Sequence, residues 1–227
     1  MLGVDSEANL REFLRGRTPS EGRHPEGRYA SFDYCYNYFQ SFRESGSIQA
    51  LASPENLQSS CLHLGFFLAS WGMFRGSSLL LNRSVRFFAP VIRVIASSAI
   101  RLWEIDAHVY TEDNIRELLH FRRTIAEAWG PQAAPSDILA TKIMLAVFAN
   151  IPAFDNFFKN GLGVSTFGAK ALEKVARFYD ANSELVDRYR VPTLDFATGQ
   201  PTHRRYTRAK VIDMVFFMEG AKKARAA

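Results

Sequence analysis

Apolar and polar positions along the chain repeat with the 3.6-residue period of helices, and the two-residue alternation of strands is nearly absent. A first helix is predicted over residues 29–44, ended by Gly46. Ser53 followed by Pro54 reads as an N-cap with proline at the first helical position, opening a helix that runs through Leu81 with a bend near Gly72 or Gly76. Residues 83–106 read as another long helix, with Pro90 marking a kink or a break. Thr111 opens an amphipathic helix to about Trp129, with Glu112 and Asp113 in its first turn. Gly130-Pro131-Gln132-Ala133-Ala134-Pro135 is a tight connector, after which Ser136 caps a helix to about Asn150. Pro152 opens a short helix over 153–160, stopped by Gly161 and Gly163. Helices follow over 167–180, 183–189 and 206–224, with a loop over 191–202.

The expected fold is therefore all-α: a compact multi-helix domain over residues 29–227, with a helix–hairpin–helix element followed by a loop carrying an aspartate. Residues 1–28 are polar, rich in Arg, Glu, Gly and Pro, and read as a flexible segment without the apolar core of a signal peptide.

Composition narrows the functional classes. At 227 residues the chain is long enough to bury a core without staples, and 47% apolar with 22% charged residues is ordinary for a globular protein. Its 19 Phe, 8 Tyr and 3 Trp are not ordinary, and many fall between Phe32 and Phe88. Core packing accounts for rings in such numbers, and so does a pocket that stacks a flat ligand. The formal charge of +5 permits nucleic-acid binding without demanding it. Cys35 and Cys61 form no CxxC pair, so neither a zinc site nor a disulfide framework is implied, which fits a cytoplasmic protein. No apolar stretch reaches the roughly 20 residues of a membrane span. Gly-rich nucleotide loops, HExxH, GxSxG and the paired deaminase motifs do not occur, and no cofactor is expected.

The informative stretch is SDILATKIMLAVFANIPAFDNFF, from Ser136 to Phe158. Its order of helix, tight hairpin, apolar helix, Pro152 loop and Asp155 resembles the helix–hairpin–helix DNA glycosylases. In that family an apolar helix after the hairpin leads to a Val/Pro-containing loop and then an essential aspartate, and Ile151-Pro152-Ala153-Phe154-Asp155 occupies that place. The resemblance implies a catalytic role for Asp155. The chemistry is intelligible without the name. Breaking an N-glycosidic bond builds positive charge on the sugar, and a carboxylate held near that carbon stabilises it. The first turn of a helix favours the ionised form. Gly130 and Ser136, with the free N–H groups that open the following helix, are candidates to hold a DNA phosphate, as are Lys142 and Lys159.

The chain departs from the family in its hairpin, where Gly-Pro-Gln-Ala-Ala-Pro replaces a Leu-Pro-Gly-Val-Gly-like run, and in Asp137, which adds negative charge there. Bifunctional members carry a nucleophilic lysine at the start of the next helix; Ser136–Ile138 stands there and Lys142 is a turn further in, which implies a monofunctional enzyme. An aspartate three residues after a proline is also an ordinary way to cap a helix.

A second constellation embeds polar residues in apolar helices. Asp33, Tyr36 and Asn37 share a stripe of the first helix, and His63, Trp71 and Arg75 fall near one face of the next. Such groups must meet each other or a ligand. They form either a hydrogen-bond network that fixes helix packing or a pocket that stacks a flipped base on Trp71 or a tyrosine and reads its edge. Arg204, Arg205 and Arg208 at the start of the last helix are further candidates for phosphate contact or for a solvated surface.

FDYCYNYFQSF, HLGFFLASWGMFRGSS and PTLDFATGQPTHRRYTRAKVIDM are similar to bacterial phage-defence glycosylases that remove glucosylated hydroxymethylcytosine. That resemblance implies double-stranded, modified phage DNA as the substrate and an abasic site as the product; the sequence does not give the oligomeric state, and a monomer is the favoured expectation. The competing expectations are a non-enzymatic helical module that binds nucleic acid or protein, and a hydrolase or nuclease using carboxylates such as Asp33 and Asp195. The latter lacks a tight acidic cluster for metal.

Overall fold

The computed structural model describes residues 4–18, 21–76, 78–131, 133 and 135–226. It is predominantly helical, as the periodicity implies: α1 (Ser6–Arg15), α2 (Ala30–Glu44), α3 (Leu57–Ser70), α4 (Ala89–Ala96), α5 (Glu112–Glu127), α6 (Asp137–Phe148), α7 (Asn156–Leu162), α8 (Ala169–Arg188) and α9 (Arg208–Ala226). A two-stranded antiparallel hairpin, β1 (Pro192–Leu194) with β2 (Pro201–Arg205), is the one sheet among these residues. It replaces most of the loop expected over 191–202; its strands are too short to register as an alternating pattern. Gln132 and Ala134 of the expected connector lie outside the described residues.

Two helices form the centre. Every residue of α6 from Leu139 to Phe148 is buried, and α9 is buried continuously from Ala209 to Met218. A helix apolar all round must be wrapped by others. α2, α3 and α5 pack on α6, while α1, α7 and α8 pack on α9. The α7–α9 crossing is the closest. A Cβ on Gly161 would overlap the carbonyl of Phe216, and one on Gly220 would overlap that of Phe157, so both positions require glycine.

Three expectations change. The N-terminal segment is not a flexible tail throughout, because α1 is capped by Asp5 and buries Leu10 and Phe13 against α9. The sparse apolar residues of the segment conceal a helix whose inward face is narrow. The helix expected over 54–81 ends at Ser70, where Gly72 turns left-handed at φ 72°. Pro90 opens α4 rather than kinking a longer helix, and α8 joins the two helices expected over 167–189 across a kink at Asn182.

Candidate active site

The segment between α6 and α7 sets the geometry. Ala149 ends α6 in the left-handed region at φ 51°, and the chain reverses to run back along the helix it has just left. Most polar groups of the reversal are held, although Asn150 Oδ1 is buried without a partner among the described residues. Thr207 Oγ1 donates to the Ala149 carbonyl (2.6 Å), Tyr110 to that of Asn150 (2.5 Å), and Asn150 Nδ2 to that of Leu102 (3.0 Å). The Ala153 N–H donates to Asp213 Oδ1 (3.0 Å) and the Phe154 N–H to Thr141 Oγ1 (3.0 Å). Buried backbone groups satisfied in this way make a rigid loop.

That loop delivers Asp155 to the N-cap of α7. Its Oδ1 accepts from the Phe158 N–H at 2.9 Å, and its Oδ2 lies 3.6 Å from Lys142 Nζ. Lys142 donates to the Trp71 carbonyl at 3.0 Å. The lysine side chain is 7% exposed and the aspartate 14%, so water screens the pair poorly. Burial pushes the Asp155 carboxyl up and the Lys142 amine down, and each is partly restored by the other's charge. Asp213 is a second carboxylate in range of both; it is paired with Lys210 at 2.9 Å.

An aromatic wall completes the site. Trp71 stacks on Tyr29 and meets Phe217 edge-on, both at 5.5 Å between ring centroids. Arg28, Lys142 and Lys210 lie 5.0, 5.9 and 5.6 Å from its ring, within cation–π reach. Its indole Nε1 is buried without a hydrogen-bond partner among the described residues. Beside this wall opens a cavity of about 570 Å³ lined by Arg28, Tyr29, Phe157 and Phe217, with Glu12 and Glu21 at its rim.

Of the residues proposed to hold a base, the structure brings only Trp71 to Asp155. Asp33 is fully buried and accepts from Arg23 (2.7 Å), Tyr206 (2.6 Å) and the Leu194 N–H (3.1 Å), joining α2 to the hairpin. Burial raises its carboxyl despite these partners, and both its oxygens are engaged inside the fold. Asn37 is held by Thr193 and the Leu194 carbonyl. His63 stacks on Tyr38 at 4.0 Å. Tyr36 lies in a different cleft, and Arg75 is exposed with its guanidinium over Gly72. For Asp33 and Asn37, then, the polar stripe of α2 fixes packing.

The proposed phosphate contacts also sort. Lys142 is buried against Asp155 and unavailable to a surface phosphate. Arg204 is bidentate to Glu44 at 2.7 Å, and Arg208 is paired with Asp187 (2.8 Å) and Asp106 (3.6 Å). Arg205, at the end of β2, is exposed and among the described residues bonds only to the Arg190 carbonyl. Lys159 is half-buried beside Lys223 around a shallow cavity and makes no ion pair among the described residues. At the connector, the Gly130 N–H is taken by the Glu127 carbonyl, and Ser136 Oγ caps Leu139 at 3.3 Å. Asp137 is paired with Arg122 at 2.5 Å, which offsets the charge that would repel a phosphate.

Asp195 caps its own turn through Thr198 and Ala197, away from Asp33's network, and no group of three or more His, Cys, Asp or Glu among the described residues could hold a metal. Asp213 and Arg28 escaped sequence reasoning, and Lys210, read with the basic residues at the start of the last helix, is instead buried in a pair with Asp213. Lys210 and Asp213 could have been noticed as charges three apart inside the apolar run AKVIDMVFFM.

No protein-family model, curated protein or solved structure matches the chain.

Proposed function

We propose that the chain is a monofunctional DNA glycosylase in which Asp155 supplies the carboxylate opposing the positive charge that develops on the sugar. One observation carries this: a carboxylate held at a helix N-terminus and ion-paired with Lys142, whose amine meets the carbonyl and ring of Trp71, itself packed on the Tyr29 and Phe217 that line an open cavity. The cap and the lysine both favour the ionised form, against the burial that opposes it. An electrostatic group preorganised in a poorly hydrated site is the kind that lowers the barrier for glycosidic cleavage. Ser136, which ends the connector, lies six residues before Lys142 on α6, about 9 Å of helix rise, so a DNA backbone held there would be within a nucleotide's reach of the carboxylate.

Lys142 holds the charge of Asp155; its amine is engaged by the Trp71 carbonyl, and it serves as a positioning residue. The substrate implied by the sequence resemblance is glucosylated hydroxymethylcytosine in phage DNA. The test is to incubate the protein with duplexes carrying glucosylated, hydroxymethylated or unmodified cytosine and assay for abasic sites. Excision of the glucosylated base by wild type and its loss in Asp155→Asn support the proposal. Borohydride trapping of a covalent adduct would refute the monofunctional assignment.

A non-enzymatic nucleic-acid-binding module is the second reading. It is favoured by the fact that both oxygens of Asp155 already have structural partners, Phe158 N–H and Lys142. Salt-sensitive DNA binding with no base released from any of the three duplexes would select it.

A further inference from the structure

We propose that the cleft between the C-terminal end of α2, the 103–108 segment and the start of α9 binds a phosphoryl anion carrying two or more negative charges. The cleft has a volume of about 410 Å³ and is lined by five arginines against three carboxylates. The carboxylates do not neutralise the arginines evenly. Glu44 is taken by Arg204, while Asp106 accepts the Arg208 and Ala209 N–H groups at the start of α9 and pairs with the Arg208 side chain. Glu104 is exposed and pairs with none of the five among the described residues.

Three guanidiniums make no ion pair among the described residues. Arg43 reaches only Gln40 Oε1 (3.4 Å), Arg190 donates to the Tyr206 carbonyl (2.9 Å), and Arg205 donates to the Arg190 carbonyl (2.9 Å). Guanidiniums gathered in one concavity in excess of its carboxylates repel one another, and a multiply charged anion removes that repulsion while accepting from their fixed forks.

Tyr36 is an independent pointer to a ligand. It is 7% exposed and lines the cleft, yet its hydroxyl bonds to nothing among the described residues. The hydroxyl keeps a little solvent access on a residue that lines the cleft. A nearly buried hydroxyl without a protein partner, beside three guanidiniums that make no ion pair, completes a receptor for phosphoryl oxygens.

This cleft is distinct from the Asp155 site. Arg208 at one and Phe217 at the other are nine residues apart on α9, about 13 Å of helix rise. The inference holds whether or not Asp155 cleaves a glycosidic bond. The phosphoryl oxygens could belong to a free phosphorylated compound or to consecutive phosphates of a DNA backbone.

Calorimetric titration of the full chain with inorganic pyrophosphate, alone and in the presence of a short unmodified duplex, tests it. One saturable site is expected, weakened by about tenfold or more in Arg43→Gln/Arg205→Gln through loss of two charge-assisted contacts. The melting temperature of the unliganded double variant should stay near wild type, since neither side chain makes an ion pair. Tyr36→Phe should weaken binding several-fold without loss of stability, because its hydroxyl has no internal partner. Displacement of pyrophosphate by the duplex assigns the anion to the DNA backbone; binding unaffected by the duplex assigns it to a free phosphorylated ligand. Absence of saturable pyrophosphate binding, or binding equal in wild type and the double variant, overturns the proposal.

Discussion

Replacing Asp155 by Asn tests the site most directly, and the structure changes what that substitution is expected to do. As a helix cap alone, Asp155 would lose little, because Asn caps well. In the structure the carboxylate also faces an ammonium that is 7% exposed, at 3.6 Å. At an effective dielectric of about 20, that separation corresponds to roughly 4.6 kcal/mol of attraction, an upper bound on what removing the charge forfeits. Lys142 keeps the Trp71 carbonyl and the nearby Asp213, and its buried amine can shed its proton. Burial opposes the Asp155 charge more than its partners support it, so a net change of about 1 kcal/mol or less is expected, below the roughly 3–5 kcal/mol of a fully buried pair broken on one side. For a chain of this size that is a shift of about 2–4 °C or less in melting temperature. Lys142→Met on the Asn background removes the stranded cation, so the double variant should be more stable than the summed single losses by about 2 kcal/mol. Excision should not return with stability. Every variant lacking the carboxylate should be slower by about a hundred- to a thousand-fold. Chemical denaturation gives the cycle and single-turnover base release the rates. Additive stability losses would refute the ion pair, and a double variant excising at the wild-type rate would refute the catalytic carboxylate.

The pH dependence has a definite sign. Burial raises the folded carboxyl of Asp155 above its ordinary value of 3.8, so the native state holds that proton more tightly than the unfolded chain. The associated stability is complete below the ordinary value and is lost as pH rises through the folded one. The difference in unfolding free energy between wild type and Asp155→Asn should thus decline with rising pH above about 4 in urea titrations; a rising difference would mean that Lys142 outweighs desolvation. Gly220→Ala would drive a Cβ into the Phe157 carbonyl and part α7 from α9; a loss of about 3 kcal/mol or more is expected, with reduced excision, and a melting temperature near wild type would contradict the crossing. Phe13→Ala should cost about 3–5 kcal/mol if α1 belongs to the core, whereas a dispensable N-terminal segment would leave the thermal midpoint unmoved.

Local chemistry was legible along the chain. Thr111, Ser136 and Asp155 all cap the helices that follow them, because a side-chain oxygen satisfying an N–H three residues on needs no distant partner. The start of α2 and the burial of α6 were written in periodicity, whereas the end of α3 at Ser70 read only as a bend near Gly72. What lay beyond a turn or two of chain was decided by tertiary structure. Lys142 read as a phosphate contact because a lysine on an apolar helix has no visible partner. Asp155, thirteen residues on, reaches it only because the chain reverses at Ala149 and is pinned by Thr207, Tyr110 and Asp213 from other helices. Asp33 and Tyr36 share a stripe of α2, but packing sent one into a closed network with Arg23 and Tyr206 and left the other at the floor of an arginine-lined cleft. Periodicity tells which face of a helix is buried. Which charges meet there depends on helix crossings, and those are set by side-chain volumes summed over the whole core.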